Sequence, residues 1–210
     1  MSKIKILLVE DDPDYLKVMS NFLNREEDLV VVATASDKDT AITLSKTLDL
    51  DIILMDINLS GNKYDGIIAA ADINQFKKVK IVMLSSMVET DIITHSFTAG
   101  AVNYISKNNY QEIPKVLREI YQSETPIEVL LKEYHRLKEA EQLQSLTPAE
   151  KEIYRLVESG HTHAQIAKKL YKSENTIKNQ VNNILKKLNV SNSKEAVKKV
   201  KTKGIFRLFQ

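Results

Sequence analysis

Two kinds of block alternate along the first part of the chain. Short runs dense in apolar and β-branched residues, IKILLVE (4–10), VVVATA (30–35), IILMDI (52–57), KIVMLSS (80–86) and NYIS (103–106), read as strands. Between them lie amphipathic stretches at roughly 14–25, 37–48, 64–75, 89–99 and 110–122, which read as helices. The first, third and fourth runs are almost continuously apolar, as central parallel strands covered on both faces must be. Strand alternating with helix predicts βαβ units, hence a parallel sheet with helices on both sides. Five units fill the chain to residue 123.

The pattern then changes. PIEVLLKEYHRLKEAEQLQS (126–145) is rich in Leu, Glu and Lys, with Leu130, Tyr134 and Leu137 at helical spacing. It reads as a helical linker. A spacer with one apolar face is favoured over a short dimerising helix, because the seam is brief. From residue 146 the punctuation is that of short helices. Thr147, Pro148 and Glu150 form an N-cap, a first-turn proline and a reciprocal cap, and that helix stops near Gly160. Thr162 and Gln165 repeat the capping box for a helix ending near Leu170, Ser173 caps a third running to about Leu188, and a fourth starts near Ser193. Short helices with tight turns suggest a helix-turn-helix. The organisation expected is 1–123, a linker 124–145, and a helical domain 146–210 whose tail, KGIFRLFQ (203–210), has no readable role.

Charge sharpens this division. The net charge of +2 over 210 residues hides −5 in residues 1–123, −2 in 124–145 and +9 in 146–210. Fourteen Lys/Arg against five Asp/Glu in the last segment suit a nucleic-acid partner better than a merely solvated surface. The chain has no cysteine and four scattered histidines, which excludes disulfides and thiolate sites and argues against zinc. No secretory signal and no membrane-spanning apolar stretch is evident, so a cytoplasmic protein without a membrane partner is the default expectation.

The candidate chemistry sits at strand ends. Ligands of an open parallel sheet lie beyond the carboxyl ends of its strands. Glu10 and Asp11 end the first strand, and Asp56 ends the third. If those strands are neighbours, three acids converge. Such crowding costs about 4 kcal/mol per pair at 4 Å and an effective dielectric of 20, so the cluster wants a hard divalent cation, and Mg²⁺ fits sparse oxygen ligands. Asp12, before Pro13, reads instead as a helix cap. Ser85 ends the fourth strand with a hydroxyl, and Lys107 follows the fifth with an ammonium. A carboxylate nucleophile, a metal, a hydroxyl and an ammonium together can handle a phosphoryl group.

The runs LLVEDDP, ILMDINLSG, VMLSS and NYISK, in order at successive strand ends, resemble the receiver domain of two-component response regulators. The resemblance implies a flavodoxin-like sheet of order 2-1-3-4-5. It implies that Asp56 is the phosphoacceptor for a sensor histidine kinase. Asp11, Asp56 and the backbone carbonyl of Asn58 would bind Mg²⁺ directly, with Glu10 acting mainly through water. Ser85 and Tyr104 would move on phosphorylation, and Lys107 would hold a phosphoryl oxygen. The chain departs from the common pattern at Ser60 and Asn108, where many receivers have proline, and at Ser85, commonly threonine.

Residues 146–203 resemble the LuxR/NarL-type helix-turn-helix. In ENTIKNQVNNILKKLN (174–189), Ile177, Val181, Ile184 and Leu188 share one face and should pack inward. The opposite face carries Asn and Lys, suited to base edges and phosphates. The resemblance makes 174–188 the recognition helix, with Lys178, Asn179 and Asn182 in the major groove and Lys172, Lys186 and Lys187 on phosphates. The family commonly has His at Gln180 and Gly at Asn189.

The function expected is a phosphorylation-controlled transcriptional regulator binding double-stranded DNA as a homodimer, paired through the fourth helix of its last domain, and not an enzyme. Three rivals remain: a DNA-binding regulator with a phosphorylation-independent receiver, an aspartyl-phosphate phosphatase, and a protein-protein adaptor. The phosphatase is disfavoured because Asn58 stands where the haloacid-dehalogenase-like class needs a second Asp, the adaptor by the basic charge.

Overall fold

The computed structural model describes residues 3–59, 64–86 and 89–201. Ser60, Gly61, Met87 and the tail from residue 202 lie outside the described residues. The chain forms two compact units, divided between Glu133 and Tyr134.

The first unit is built on five parallel strands: β1 (Ile4–Val9), β2 (Leu29–Ala35), β3 (Ile52–Asp56), β4 (Lys80–Ser85) and β5 (Asn103–Ser106). Their order among the described residues is β2-β1-β3-β4-β5, as expected. The apolar runs have the burial their composition foretold: Ile6 to Val9, Ile52 to Met55 and Ile81 to Leu84 are fully inaccessible. Helices α1 (Pro13–Asn24), α2 (Lys38–Thr47), α3 (Asp65–Ile73), α4 (Thr90–Thr98) and α5 (Ile113–Gln122) follow the strands. Asp12 caps α1, accepting from the N–H groups of Asp14 and Tyr15. The last helix starts later than its periodicity predicted. Residues Lys107–Glu112 wind as a 3-10 turn, and Asn109 leaves helical geometry. Pro114 explains the break: with no N–H to donate, it belongs in the first turn of α5.

Arg118 of α5 grips the loop after α1, its guanidinium bonding Asp28 at 2.7 and 2.8 Å and also Glu26. Helix α6 (Pro126–Gln142) begins against this unit, with Glu128 Oε1 3.3 Å from Lys80 Nζ and Leu131 buried.

The second unit holds α7 (Pro148–Glu158), α8 (His163–Leu170), α9 (Glu174–Leu188) and α10 (Ser193–Lys201). Both capping boxes form, at Thr147/Glu150 and Thr162/Gln165, and Ser173 caps α9. Ile153, Tyr154, Ile166, Ile177, Val181, Ile184 and Leu188 make the core with Leu143 and Leu146. Helices α8 and α9 both end on a left-handed residue that is not glycine, Tyr171 (φ 53°) and Asn189 (φ 53°). Asn tolerates that geometry through its short polar side chain, whereas Tyr adopts it at a cost.

Candidate functional site

The strands β1 and β3 are neighbours, paired Val9 to Met55. That register brings the acids together. One carboxylate oxygen each from Glu10, Asp11 and Asp56 lies within 4.8 Å of the others. Asp11 is exposed, while Glu10 (1%) and Asp56 (4%) are buried. Lys107 reaches back over the sheet edge, its Nζ 2.6 Å from Glu10 Oε2 and 3.1 Å from Asp56 Oδ1. Ser85, buried, stands on β4 one residue beyond the partner of Asp56, because Asp56 pairs with Leu84. Tyr104 on β5 is half-buried, and its hydroxyl is hydrogen-bonded with Ser85. The four strand ends thus carry the sequence-predicted acids, hydroxyl and ammonium to one edge.

The electrostatics follow from crowding and burial. Burial pushes the Asp56 and Glu10 carboxyls above the usual carboxylate range, against the pull of Lys107. Burial alone would depress Lys107, but its two carboxylate partners outweigh this and raise it. The Tyr104 hydroxyl is raised, again chiefly by burial.

The donor set fits a small hard cation. Three carboxylates converge with one lysine, leaving net negative charge, and hard oxygen ligands suit Mg²⁺. Asn58, two residues past Asp56, has a buried Oδ1 without a hydrogen-bond partner among the described residues. This is a second oxygen-bearing group of that residue, besides the backbone carbonyl that the family resemblance implies.

Gly66 explains how Asp56 is held. Its N–H donates to Ile57 O at 3.0 Å, pinning the start of α3 to the strand end. A Cβ there would stand 1.8 Å from the backbone oxygen of Asp56. Tyr15 is a neighbour that sequence reasoning missed. Its ring lies 4.7 Å from Lys107 Nζ, a cation–π distance, and its hydroxyl is buried without a hydrogen-bond partner among the described residues. The available signal was positional: Tyr15 lies one helical turn past Asp11, in the first turn of α1.

On the second unit, Lys172, Lys178, Asn179, Asn182, Lys186 and Lys187 are all exposed, and Ile177, Val181, Ile184 and Leu188 face inward as expected. Two of these lysines have internal partners. Lys187 Nζ is 2.7 Å from Glu150 Oε2, and Lys172 Nζ is 3.3 Å from Gln180 Oε1. Glu150, the reciprocal cap of α7, is held below the usual carboxylate range first by Lys187 and then by its own cap bond. Among the described residues, no helix is long and apolar enough to cross a membrane.

A doubly wound sheet with an acid cluster at its carboxyl edge, joined to a basic helix-turn-helix, defines a signalling receiver carrying a DNA-binding head. Comparison agrees for both units: residues 6–118 match the response regulator receiver domain and residues 144–200 the bacterial regulatory proteins of the luxR family. The response regulator protein VraR of Staphylococcus epidermidis is 33% identical over 199 residues, 92% of this chain and 94% of that protein. The transcriptional regulatory protein LiaR of Bacillus subtilis is 32% identical over 201 residues, with the same coverage, 92% and 94%. Among solved structures, the RcsB response regulator of Salmonella typhimurium superposes with a TM-score of 0.52 at 25% identity, covering 94% of this chain and 97% of that one. The chain belongs to the two-component response regulators of the NarL/LuxR type, and its role is in transcription regulation.

Proposed function

We propose that Asp56 accepts a phosphoryl group from a sensor histidine kinase, and that this controls dimerisation and sequence-specific binding to double-stranded DNA. The observation that carries the reading is the constellation itself: Asp56 buried at a strand end, with Glu10 and Asp11 beside it and Lys107 3.1 Å away. Glu10, Asp11, Asp56 and Asn58 would hold Mg²⁺, which when bound neutralises charge on the phosphoryl oxygens. The Asp56 carboxylate oxygen attacks phosphorus, the phosphorus–nitrogen bond of the kinase phosphohistidine breaks, and its electron pair returns to the imidazole. Lys107 exchanges a carboxylate partner for a phosphoryl oxygen, and the Ser85 hydroxyl donates to another. Ser85 then gives up its bond with Tyr104, and the Tyr104 ring is released to turn inward. That linked pair is the switch in this reading, and α4 and its flanking surface respond to it.

The domains follow the same scheme: a receiver at 1–123, a helical linker at 124–145 and a DNA-binding head at 146–210. In the head, α9 is the recognition helix. Lys178, Asn179 and Asn182 read bases, and Lys172, Lys186 and Lys187 contact phosphates. The protein works in the cytoplasm, where kinase and DNA are both within reach.

Selection from a random duplex library at fixed salt and with Mg²⁺ tests this, comparing protein with and without beryllofluoride, a phosphoryl mimic. An inverted repeat enriched only with the mimic is the expected result. Equal enrichment in both samples removes the switch and leaves the regulator with a phosphorylation-independent receiver. Enrichment in neither removes the DNA-binding reading.

A further inference from the structure

Helix α6 carries an apolar stripe that its own fold does not cover. Ile127, Leu130 and Leu137 are 41%, 66% and 54% exposed, although their neighbour Leu131 is buried. Val129, 55% exposed, stands apart as single exposed apolar residues ordinarily do, but these three keep a spacing. Taking Ile127 as an a position, Leu130 falls at d, Tyr134 at a and Leu137 at d. This is the seam of a two-stranded coiled coil over two heptads. Glu141 takes the next a position and ends it.

The flanking charges specify the occupant. In a parallel pair, a g residue meets the e residue five positions on in the partner helix. Glu133 is at g and Lys138 is at e, five residues later. Two copies of this chain therefore place Glu133 against Lys138 twice, once on each side of the seam. An antiparallel pair aligned about its centre sets g against g, which is Glu133 facing Glu133, a repulsive contact. The sequence of the helix thus favours a second copy of itself, in register and parallel. Lys138 now bonds Glu141 of its own helix at 2.9 Å, an exposed pair that is easily exchanged.

We propose that α6 is a homodimerisation seam, a parallel two-heptad coiled coil between two copies of this chain, with Ile127, Leu130, Tyr134 and Leu137 at its centre. The proposal extends the dimeric reading above. Two heptads are too few to hold a dimer alone. They act within an assembly whose other contacts raise the effective concentration of the helices. Parallel pairing also sends both chains out of the seam in one direction, as binding to two half-sites requires.

The absence of cysteine makes the test direct. Single-cysteine variants of the full chain, Leu130→Cys and Leu137→Cys at d and Lys132→Cys on the outer face, are oxidised with diamide in Mg²⁺ and beryllofluoride. Disulfide-linked dimers are expected from the two d variants and not from the outer one. In sedimentation equilibrium, Glu133→Lys should weaken the dimer about fivefold, and Glu133→Lys with Lys138→Glu should restore it. Circular dichroism shows that each variant is folded. A sample that sediments as a dimer without linking at 130 and 137, or that links equally at 132, overturns the seam. A chain monomeric under all conditions overturns both the seam and the dimeric reading. DNA selection that still responds to the mimic would then leave the phosphorylation switch standing.

Discussion

Replacing Asp56 with Asn should stabilise the metal-free protein, although it removes the residue on which function is expected to depend. Three interactions set the size of the effect. Lys107 at 3.1 Å attracts Asp56 by about 5 kcal/mol at an effective dielectric of 20. Glu10, within 4.8 Å, repels it by about 3 kcal/mol or more. Burying the charge costs several kcal/mol, and Asp56 is only 4% exposed. Asp11 is exposed and adds a screened remainder. Attraction falls short of the other two, so Asn should gain about 1 kcal/mol. The same imbalance holds the Asp56 carboxyl above its usual range. A raised folded pKa means that the folded state keeps the proton longer, so stability falls as pH rises from the unfolded value, about 3.9, through the folded one. The advantage of the variant should therefore vanish near pH 4 and grow as pH rises toward 7. Mg²⁺ at ten times its dissociation constant should stabilise the native chain by about 1.4 kcal/mol, and the variant by much less. Urea-dependent amide exchange of the β1 and β3 peptides, read by mass spectrometry, isolates the first unit from the second. A metal-free variant at pH 7 no more stable than the native chain would refute the reasoning.

Other expectations follow from particular contacts. Lys107→Met strands two buried carboxylates and should destabilise the first unit by about 3 kcal/mol in the same assay. Tyr154→Phe removes a buried hydroxyl with no hydrogen-bond partner among the described residues, so thermal unfolding of the helical unit should be unchanged or raised by about 1 kcal/mol. Tyr171→Gly relieves a left-handed backbone at a side chain 97% exposed, and should stabilise the same unit by roughly 1 kcal/mol in thermal melts. In DNA binding, Lys186→Ala should lower the slope of log affinity against log salt by about 1. Lys187→Ala should lower it by less, because its ammonium already faces Glu150 at 2.7 Å; equal losses would show that this pair opens fully on DNA.

Much of this was legible in the sequence because the signals were redundant. The apolar runs and their spacing specify the sheet, and Thr147, Thr162 and Ser173 mark helix starts by chemistry that few other residues share. The acids at positions 10, 11 and 56 were legible because they stand where the first and third apolar runs end. The 3-10 turn at Lys107–Glu112 was not, since its residues fit an amphipathic helix and only Pro114 argued for a later start. Tyr15 escaped because an aromatic in a first helical turn looks like ordinary packing until the lysine above it is placed. The Glu150–Lys187 pair joins residues 37 apart in sequence, and no local pattern announces it. Asn189, a departure from the glycine common in the family, takes the left-handed geometry that glycine would.

Position 66 has a consequence for how this protein can change over generations. Any substitution of glycine adds a Cβ, and here that atom would meet the backbone oxygen of Asp56 at 1.8 Å. The obstacle is main chain, so no choice of side chain avoids it. Neighbouring surface positions can drift one mutation at a time, but residue 66 has no tolerable neighbour in sequence space. A lineage that loses Gly66 must move the strand end or lose the site, so the acid and the glycine ten residues away are inherited as one character.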